Sequence, residues 1–231
     1  MKFLTMNKLA VISYIFLSLS LAKETTYHYD VSFRGFSVGK STITINKTED
    51  KIFFSTILTT NRFFDRFYSI RDTINVVMDA RDWTLLKTRK NIKEGSFKQF
   101  HQAQVDTLNQ LITYGNKSIP YLDKIYDPLG LLFYLRHRDK SEIKDIEYDV
   151  YDSKKKIKIK FDVVDGKKIK FNNVNHRTFF LDPKSVDGKN LLKNNGHIRF
   201  WFSKENRTPI QIKQTTSYGK IVMKLVKIDE E

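Results

Sequence analysis

Residues Tyr27 to Ile45 have the sequence YHYDVSFRGFSVGKSTITI, and this stretch decides the fold class. Aromatic or aliphatic residues occupy every second position as far as Phe33, and isoleucine alternates with threonine from Ser41 onward. A side-chain period of two is typical of a β-strand that buries one face. The stretch therefore predicts two neighbouring strands of an antiparallel sheet.

The same period of two recurs along most of the remaining chain. Polar segments rich in turn-forming residues separate the alternating runs, and neither a Pro/Gly/Ser linker nor an internal repeat divides them. Residues 23–231 are therefore expected to form a single domain. Further strands are predicted at 52–60, 68–78, 84–92, 97–105, 110–114, 146–151, 156–163, 167–175, 196–203, 208–217 and 220–228.

One segment interrupts the strands and is predicted to be a helix. Asp127 is a good N-cap, Pro128 suits the first helical position, and Leu129 to Arg136 follow. The apolar residues of this segment, Leu132 and Phe133 among them, would face every direction, so the helix must be surrounded by other elements. We expect an all-β, mainly antiparallel sheet that curves into a half-open β-barrel around this central helix.

The N-terminus has the pattern of a secretory signal peptide, residues 1–22. Lys2 and Lys8 precede an uncharged apolar run from Leu9 to Leu21. Ser20 and Ala22 are small residues suited to signal-peptidase cleavage. The run of about 13 residues is shorter than the ~20 that a membrane-spanning helix needs. Cleavage is expected near Ala22, which would leave a soluble protein outside the cytoplasm.

Composition limits the chemistry that the protein could perform. The chain has no cysteine, which excludes disulfides, thiol catalysis and thiolate metal sites. A formal net charge of +15 favours contact with an anionic membrane or polysaccharide, although a diffuse lysine-rich composition is an alternative explanation. The five histidines are scattered without metal-ligand spacing. We expect no metal or cofactor, and no nucleic acid because of the compartment.

Residues 35–39 match G-x-S-x-G, the nucleophile motif of many hydrolases. In those enzymes the serine stands on a sharp turn from a strand into a helix. Here the β-branched run from Ser41 to Ile45 follows, so the two glycines are expected to be turn and bulge residues. A protein without enzymatic activity is the main interpretation, and a serine hydrolase using Ser37 is an alternative.

Two alternating lysine-rich segments, 156–161 and 168–171, are predicted to form a hairpin whose loop is residues 164–166, with Gly166 left-handed. Phe161 would then face Ile169 on the core side, and Lys160 would face Lys170 outside. Like charges directly opposite each other destabilise a sheet unless an anion lies between them. A solvated face is the alternative to an anion site. The predicted contacts to an anionic group are Lys156, Lys158, Lys160, Lys168 and Lys170.

An aromatic and basic loop, residues 62–68 with the sequence RFFDRFY, separates two predicted strands. Phe63 and Phe64 could rim the mouth of an apolar cavity or insert into a membrane. They could equally form a plug packed on the end of the sheet. These alternatives stay open from the sequence.

Three blocks of sequence resemble the bacterial domain of unknown function 3108 family. They are residues 29–39, residues 126–136, and residues 199–209 followed by 219–222, in the order found in that family. The resemblance implies an exported bacterial protein, usually of the Gram-negative envelope, and therefore a periplasmic location. It also implies a shape similar to the lipoprotein-carrier proteins LolA and LolB, in which a curved antiparallel sheet holds helices and an apolar cavity.

The sequence therefore favours a monomeric, non-enzymatic envelope protein whose concave face binds an acyl chain or another amphipathic envelope molecule. A structural or interaction protein with a filled barrel is the alternative from another class. An apolar volume beside the helix would distinguish the two. The predicted ligand contacts are Leu129, Leu132, Phe133, Phe161, Ile169, Phe63 and Phe64.

Overall fold

The computed structural model describes residues 23–192, 196–217 and 219–231, so the predicted signal peptide lies outside the described residues. Within those ranges, no helix has the length and apolar character needed to cross a membrane. The strands are β1 Lys23–Phe33, β2 Phe36–Lys47, β3 Lys51–Thr60, β4 Arg71–Asp79, β5 Leu85–Glu94, β6 Phe97–Asp106, β7 Leu111–Tyr114, β8 Lys117–Pro120, β9 Tyr148–Asp152, β10 Lys155–Phe171, β11 Val174–Ser185, β12 His197–Ser203, β13 Pro209–Thr216 and β14 Gly219–Glu230. The helices are α1 Pro128–Leu135 and α2 Lys140–Ile143, and a 3₁₀ turn covers Phe64–Arg66.

All the described strands belong to one antiparallel sheet with the order β8-β7-β6-β5-β4-β3-β2-β1-β14-β13-β12-β11-β10-β9. Strands adjacent in sequence pair with each other, except β8 and β9, and the first and last strands pair in the middle of the sheet. The β1–β14 ladder runs from Thr25↔Glu230 to Phe33↔Ile221. The sheet is therefore an open, non-closed barrel with β8 and β9 at its edges, and the predicted all-β fold is confirmed.

The segment between β8 and α1 spans the opening between the two edge strands. The backbone N–H of Leu85, at the start of β5, donates to the carbonyl of Ile125 at 2.7 Å. The next residue, Tyr126, forms a parallel bridge with Val150 of β9. One connecting segment thus contacts both halves of the curved sheet, which helps to hold the barrel shape without full closure.

The concave face of the sheet surrounds α1, as the apolar character of this helix predicts. The Asp127 carboxylate accepts hydrogen bonds from the backbone N–H groups of Leu129 at 2.9 Å and Gly130 at 3.1 Å, which confirms the predicted N-cap. Phe133 is buried, with its ring 5.1 Å from that of Phe54 on β3. Burying a side chain of this size contributes about 1.5–3 kcal/mol to folding.

The predicted hairpin around Gly166 is wrong. Strand β10 continues unbroken through this glycine, and the chain reverses at Asn172 and Asn173, whose φ angles are 47° and 61°. Two successive residues with positive φ form the tight turn preferred between antiparallel strands, and asparagine tolerates this conformation. Gly166 instead permits a close approach, because a Cβ there would lie 2.3 Å from Oγ1 of Thr178 on β11.

The longer β10 strand changes the pairing of the residues predicted to face each other. Phe161 lies opposite Pro183 rather than Ile169, and Lys160 lies opposite Lys184 rather than Lys170. The prediction that Lys160 faces Lys170 within one hairpin is therefore wrong. The register places 155–159 against β9 and 159–171 against β11, with a register shift between Gly166 and Ile169, so the lysines of this strand are spread along its length.

Helix α2 was not expected from the sequence, although a local signal for it exists. Glu142 lies three residues after Asp139, and its carboxylate accepts a hydrogen bond from the Asp139 backbone N–H at 3.1 Å. This is half of the reciprocal pattern that often starts a helix. Most of β11 was also missed, because residues 176–185 do not alternate regularly between apolar and polar side chains.

We predict that Gly39→Ala destabilises the protein by about 1–3 kcal/mol, because the new Cβ would overpack the sheet. The ideal Cβ position lies 2.1 Å from the Thr59 carbonyl oxygen on the neighbouring strand. Chemical denaturation followed by circular dichroism measures the change. The control is Ser37→Ala, an exposed position on the same strand, expected to stay within about 0.5 kcal/mol of wild type. Equal stability of both variants would contradict this account of Gly39.

Candidate functional site

An apolar cavity of about 260 Å³ lies between the N-terminal half of α1 and the concave face of the sheet. Leu129 and Leu132 of α1 and Phe161 of β10 contribute to its wall. The helix therefore does not fill the barrel completely. Much of the remaining wall comes from Ile43, Ile159, Ile198, Phe200, Ile212 and Met223.

The other predicted ligand contacts lie away from this cavity. Phe133 projects from α1 toward the rings of Tyr27 and Phe54. Ile169 belongs to a separate small cluster with Trp201 and Ile210. Phe63 and Phe64 lie in the β3–β4 loop, with their ring centroids 5.6 Å apart, outside the cavity wall. The structure thus brings together three of the seven predicted residues.

A basic groove of about 590 Å³ adjoins the cavity, since Ile157 and Leu191 contribute to both walls. Lys155, Lys156 and Lys158 of β10 line the groove from one side, and the loop between β11 and β12 adds Lys189. Two of the five lysines predicted to contact an anion, Lys156 and Lys158, are therefore found here. The other three, Lys160, Lys168 and Lys170, lie further along β10.

The lysines of the groove have weak partners on the protein itself. Lys158 Nζ is 3.7 Å from Glu147 and 3.6 Å from Asp149, and Lys189 Nζ is 2.8 Å from Asp187. These side chains are about half exposed or more, apart from Asp149, and exposed ion pairs contribute only about 0–1 kcal/mol. An incoming anionic group could therefore compete for these ammonium groups.

An ion pair between a buried lysine and a half-exposed aspartate lies beside the cavity. Lys90 Nζ on β5 donates to Asp152 Oδ1 on β9 at 2.6 Å, and Asp152 also contributes to the cavity wall. Burial acts to lower the pKa of Lys90, but the carboxylates of Asp127 and Asp152 outweigh it, so the pKa of Lys90 is raised. Burial also raises the pKa of Asp127. Lys90 is thus a buried cation between two carboxylates.

Two further polar groups lie near this pair or in the cavity wall. His101 of β6 is buried, and its Nε2 atom is 3.1 Å from the hydroxyl of Tyr151 on β9. Burial and the neighbouring Lys90 lower the pKa of His101, so the imidazole is neutral at pH 7. In the cavity wall, the buried Oγ1 atom of Thr56 has no hydrogen-bond partner among the described residues. A ligand could supply that partner.

Ser37 lies on β2, two residues beyond the turn at Arg34 and Gly35. Gly35 has a φ of 93°, as a turn glycine requires, and β2 continues as a strand to Lys47. This strand–turn–strand geometry differs from a nucleophile elbow, in which a helix follows the serine. Over the described ranges, His, Asp and Glu side chains form no group of three or more that could hold a metal ion.

The fold and cavity define a class of protein: an open, barrel-like antiparallel sheet wrapped around a short buried helix. Residues 28–226 match the sequence profile of the family described as protein of unknown function (DUF3108). The chain therefore belongs to the DUF3108 family, as the three sequence blocks predicted. A comparison with curated protein sequences gives no match.

A solved structure supports the barrel-like fold. A crystal structure of a beta-barrel-like protein of domain of unknown function DUF1849 from Brucella abortus is similar, with a TM-score of 0.65 and 9% identity. The alignment covers 91% of this chain and 98% of that one. The hypothetical protein CT021 from Chlamydia trachomatis gives a TM-score of 0.37 at 7% identity, covering 88% of this chain and 86% of that one. That value is too low to support any argument.

We predict that Lys90→Met destabilises the protein by about 3–5 kcal/mol, because it leaves the carboxylates of Asp127 and Asp152 without their buried partner. The free energy of unfolding in urea measures the loss. Lys87→Met is the matched control, since Lys87 is an exposed lysine on the same strand and should change stability by less than about 0.5 kcal/mol. A small effect of Lys90→Met would show that the ion pair is not needed for folding.

The lowered pKa of His101 predicts a loss of stability in acid. The unfolded chain protonates this imidazole near pH 6.5, whereas the folded protein resists protonation to lower pH. The unfolded state therefore binds more protons as the pH falls below about 6.5, and the free energy of unfolding decreases.

The His101→Gln variant should lose less stability than wild type between about pH 7.5 and 5, measured by urea denaturation at each pH. The comparison isolates His101, because all other titratable groups are the same in both proteins. Identical pH profiles would contradict burial of a neutral imidazole at this position.

Proposed function

We propose that this protein is a non-enzymatic binding protein of the bacterial envelope that holds an acyl chain in the cavity beside α1. The anionic end of the same molecule would lie in the adjoining groove of Lys155, Lys156, Lys158 and Lys189. The observation that carries this proposal is the shared wall of an apolar cavity and a basic groove.

The dimensions and chemistry of the two compartments suit an amphipathic molecule. The cavity of about 260 Å³ is slightly smaller than the ~300–1,000 Å³ of typical ligand pockets, and the groove adds about 590 Å³. Ligand sites combine apolar walls with a few polar groups that fix orientation. Leu129, Leu132 and Phe161 supply the apolar contact here, and the Thr56 hydroxyl is an unpaired polar group.

The envelope location in this proposal rests on the sequence of residues 1–22 and on the resemblance to an exported family. A periplasmic protein would meet acyl chains of envelope lipids with their anionic head groups, the chemistry that the cavity and groove fit. A binding role also accounts for a domain that retains an unfilled apolar volume, because an empty cavity costs stability.

We predict that the protein binds linear fatty acids with an affinity that rises with chain length. Each methylene buried in the cavity should contribute about 0.8 kcal/mol, until the cavity is full and the affinity levels off. Calorimetric titration with octanoate, decanoate and dodecanoate measures this series. Leu129→Trp, a half-buried position on the cavity wall, should weaken decanoate binding about tenfold or more by filling the space.

Two controls separate the cavity from nonspecific effects. Leu108→Trp changes a leucine that is 93% exposed and far from the wall, so it should bind decanoate as wild type does. Lys155→Gln with Lys189→Gln should weaken decanoate binding, and the loss should be smaller at high salt, where charges are screened. The same variant should leave decanol binding unchanged. If the wild type binds none of the fatty acids, nor any lipid of an envelope extract, the proposal fails.

A further inference from the structure

One end of the barrel carries a set of exposed aromatic side chains, which we call the aromatic rim. It comprises Phe36, Phe63, Phe67 and Tyr68, which are 71%, 63%, 74% and 50% exposed, together with Phe97. Phe36 follows the β1–β2 turn, Phe97 follows the β5–β6 turn, and the other three belong to the β3–β4 loop. Large exposed apolar patches on soluble proteins mark interaction surfaces.

Hydrogen bonds hold the three connections of the rim side by side. The backbone N–H of Asn61 donates to the Val38 carbonyl at 2.8 Å, and its side-chain amide donates to the Ser37 carbonyl at 2.9 Å. On the other side, the Gly95 N–H donates to the Ser69 carbonyl at 2.8 Å. The rim is therefore one surface rather than three separate loops.

The central loop is also ordered internally, and two of its phenylalanines, Phe63 and Phe67, are exposed. The Asn61 side-chain oxygen accepts from the backbone N–H groups of Phe63 at 3.1 Å and Phe64 at 3.0 Å. Asp65 forms a two-point contact with the Arg71 guanidinium, including a 2.5 Å bond. These bonds fix the backbone while Phe63 and Phe67 stay exposed, their rings 5.6 Å apart. The rim is thus a preformed surface.

The charges around the rim are mainly positive. Arg62 and Arg66 are exposed within the loop, and exposed Lys93 and Lys98 lie directly opposite each other beside the β5–β6 turn. Like charges in such a facing pair repel unless an anion is present. The nearby Asp65 is already engaged by Arg71.

Two other acidic groups lie beside the β5–β6 turn. Burial, together with the neighbouring Glu94 carboxylate, raises the pKa of Asp72 to about 6. Asp72 is buried, and its carboxylate accepts a hydrogen bond from the Lys93 backbone N–H at 2.9 Å. The four basic side chains therefore outnumber the accessible acidic ones, and the rim presents a net positive charge.

We propose that the aromatic rim docks the protein onto the surface of an anionic lipid bilayer. Phe63 and Phe67 insert at the level of the head groups, and Arg62, Arg66, Lys93 and Lys98 contact the lipid phosphates. Aromatic and basic side chains on one surface are the combination that the interface of an anionic membrane attracts. This inference does not depend on the proposed acyl-chain cavity.

Strand directions place Leu191 and Leu192 of the cavity wall at the same end of the barrel as the rim. The β1–β2 turn adjoins the start of β14, since the Arg34 N–H donates to the Lys220 carbonyl at 3.1 Å. Because β14, β13, β12 and β11 are antiparallel neighbours, the end of β11 and the described residues 186–192 that follow it, Leu191 and Leu192 among them, also lie at this end. Docking through the rim therefore turns the cavity and its groove toward the bilayer.

Sedimentation with lipid vesicles tests the docking proposal. The wild type should bind mixed phosphatidylcholine–phosphatidylglycerol vesicles and bind pure phosphatidylcholine vesicles more weakly. Phe63→Ser with Phe67→Ser should reduce binding to the mixed vesicles about tenfold or more. Leu108→Ser is the matched control, because Leu108 is 93% exposed but lies in the β6–β7 turn at the opposite end of the barrel.

A second pair of variants tests the charges. Arg62→Gln with Arg66→Gln should weaken binding to the mixed vesicles about 10- to 30-fold and reduce its dependence on salt. Lys47→Gln with Lys51→Gln removes the same charge from the β2–β3 turn, at the opposite end, and should bind as wild type does. Leu129→Trp should also keep vesicle binding, so failure of the cavity and failure of the rim are distinguishable.

The proposal is overturned if the wild type does not bind the mixed vesicles, or if both rim variants bind them as tightly as wild type. Self-association of the wild type in the ultracentrifuge, abolished by Phe63→Ser with Phe67→Ser and without vesicle binding, would identify the rim instead as a contact between copies of this chain.

Discussion

The rest of the structure depends on the contacts of one buried group, the carboxylate of Asp127. It caps a helix that is apolar on almost every side, and such a helix persists only inside an enclosing sheet. Enclosure removes water from the cap, so the carboxylate needs a cation within the barrel, and Lys90 of β5 supplies it. Lys90 in turn donates to Asp152 at 2.6 Å on β9, an edge strand in the other half of the sheet. One helix cap thereby connects the two halves of an open barrel.

The helix, the strand period and the enclosure could be predicted because their signals are local. Asp127 and Pro128 mark the start of α1, and alternation in residues 27–45 marks two half-buried strands. The register of β10 could not be predicted in this way, since two nearby segments both suit a turn. Thr178 and the neighbouring strands decide that Gly166 stays within β10 and that Asn172 and Asn173 reverse the chain.

The candidate site was predictable to a similar extent. Leu129 and Leu132 follow from the helix, but Ile169 was misplaced because its position depends on the register of β10. Lys90 and Asp152 are separated by 62 positions, so no local motif joins them. A signal existed nevertheless: Lys90 occupies an inward position in the alternation of β5, where an unpaired lysine would be costly. An inward charge on a strand indicates a distant partner of opposite charge.

The pairing of the first and last strands in the middle of the sheet has a consequence for biogenesis. Nε2 of His28 on β1 lies 2.9 Å from Oδ2 of Asp229 on β14, although 201 positions separate the two residues in sequence. The other ladders of the described sheet join strands that are consecutive in sequence, so they can form as soon as both strands are synthesised. The β1–β14 ladder cannot form until β14 has been made. Contacts so distant in sequence form slowly. A chain synthesised from its N-terminus would therefore remain two unjoined half-sheets until β14 was made, and loss of β14 would remove the centre of the sheet rather than an edge.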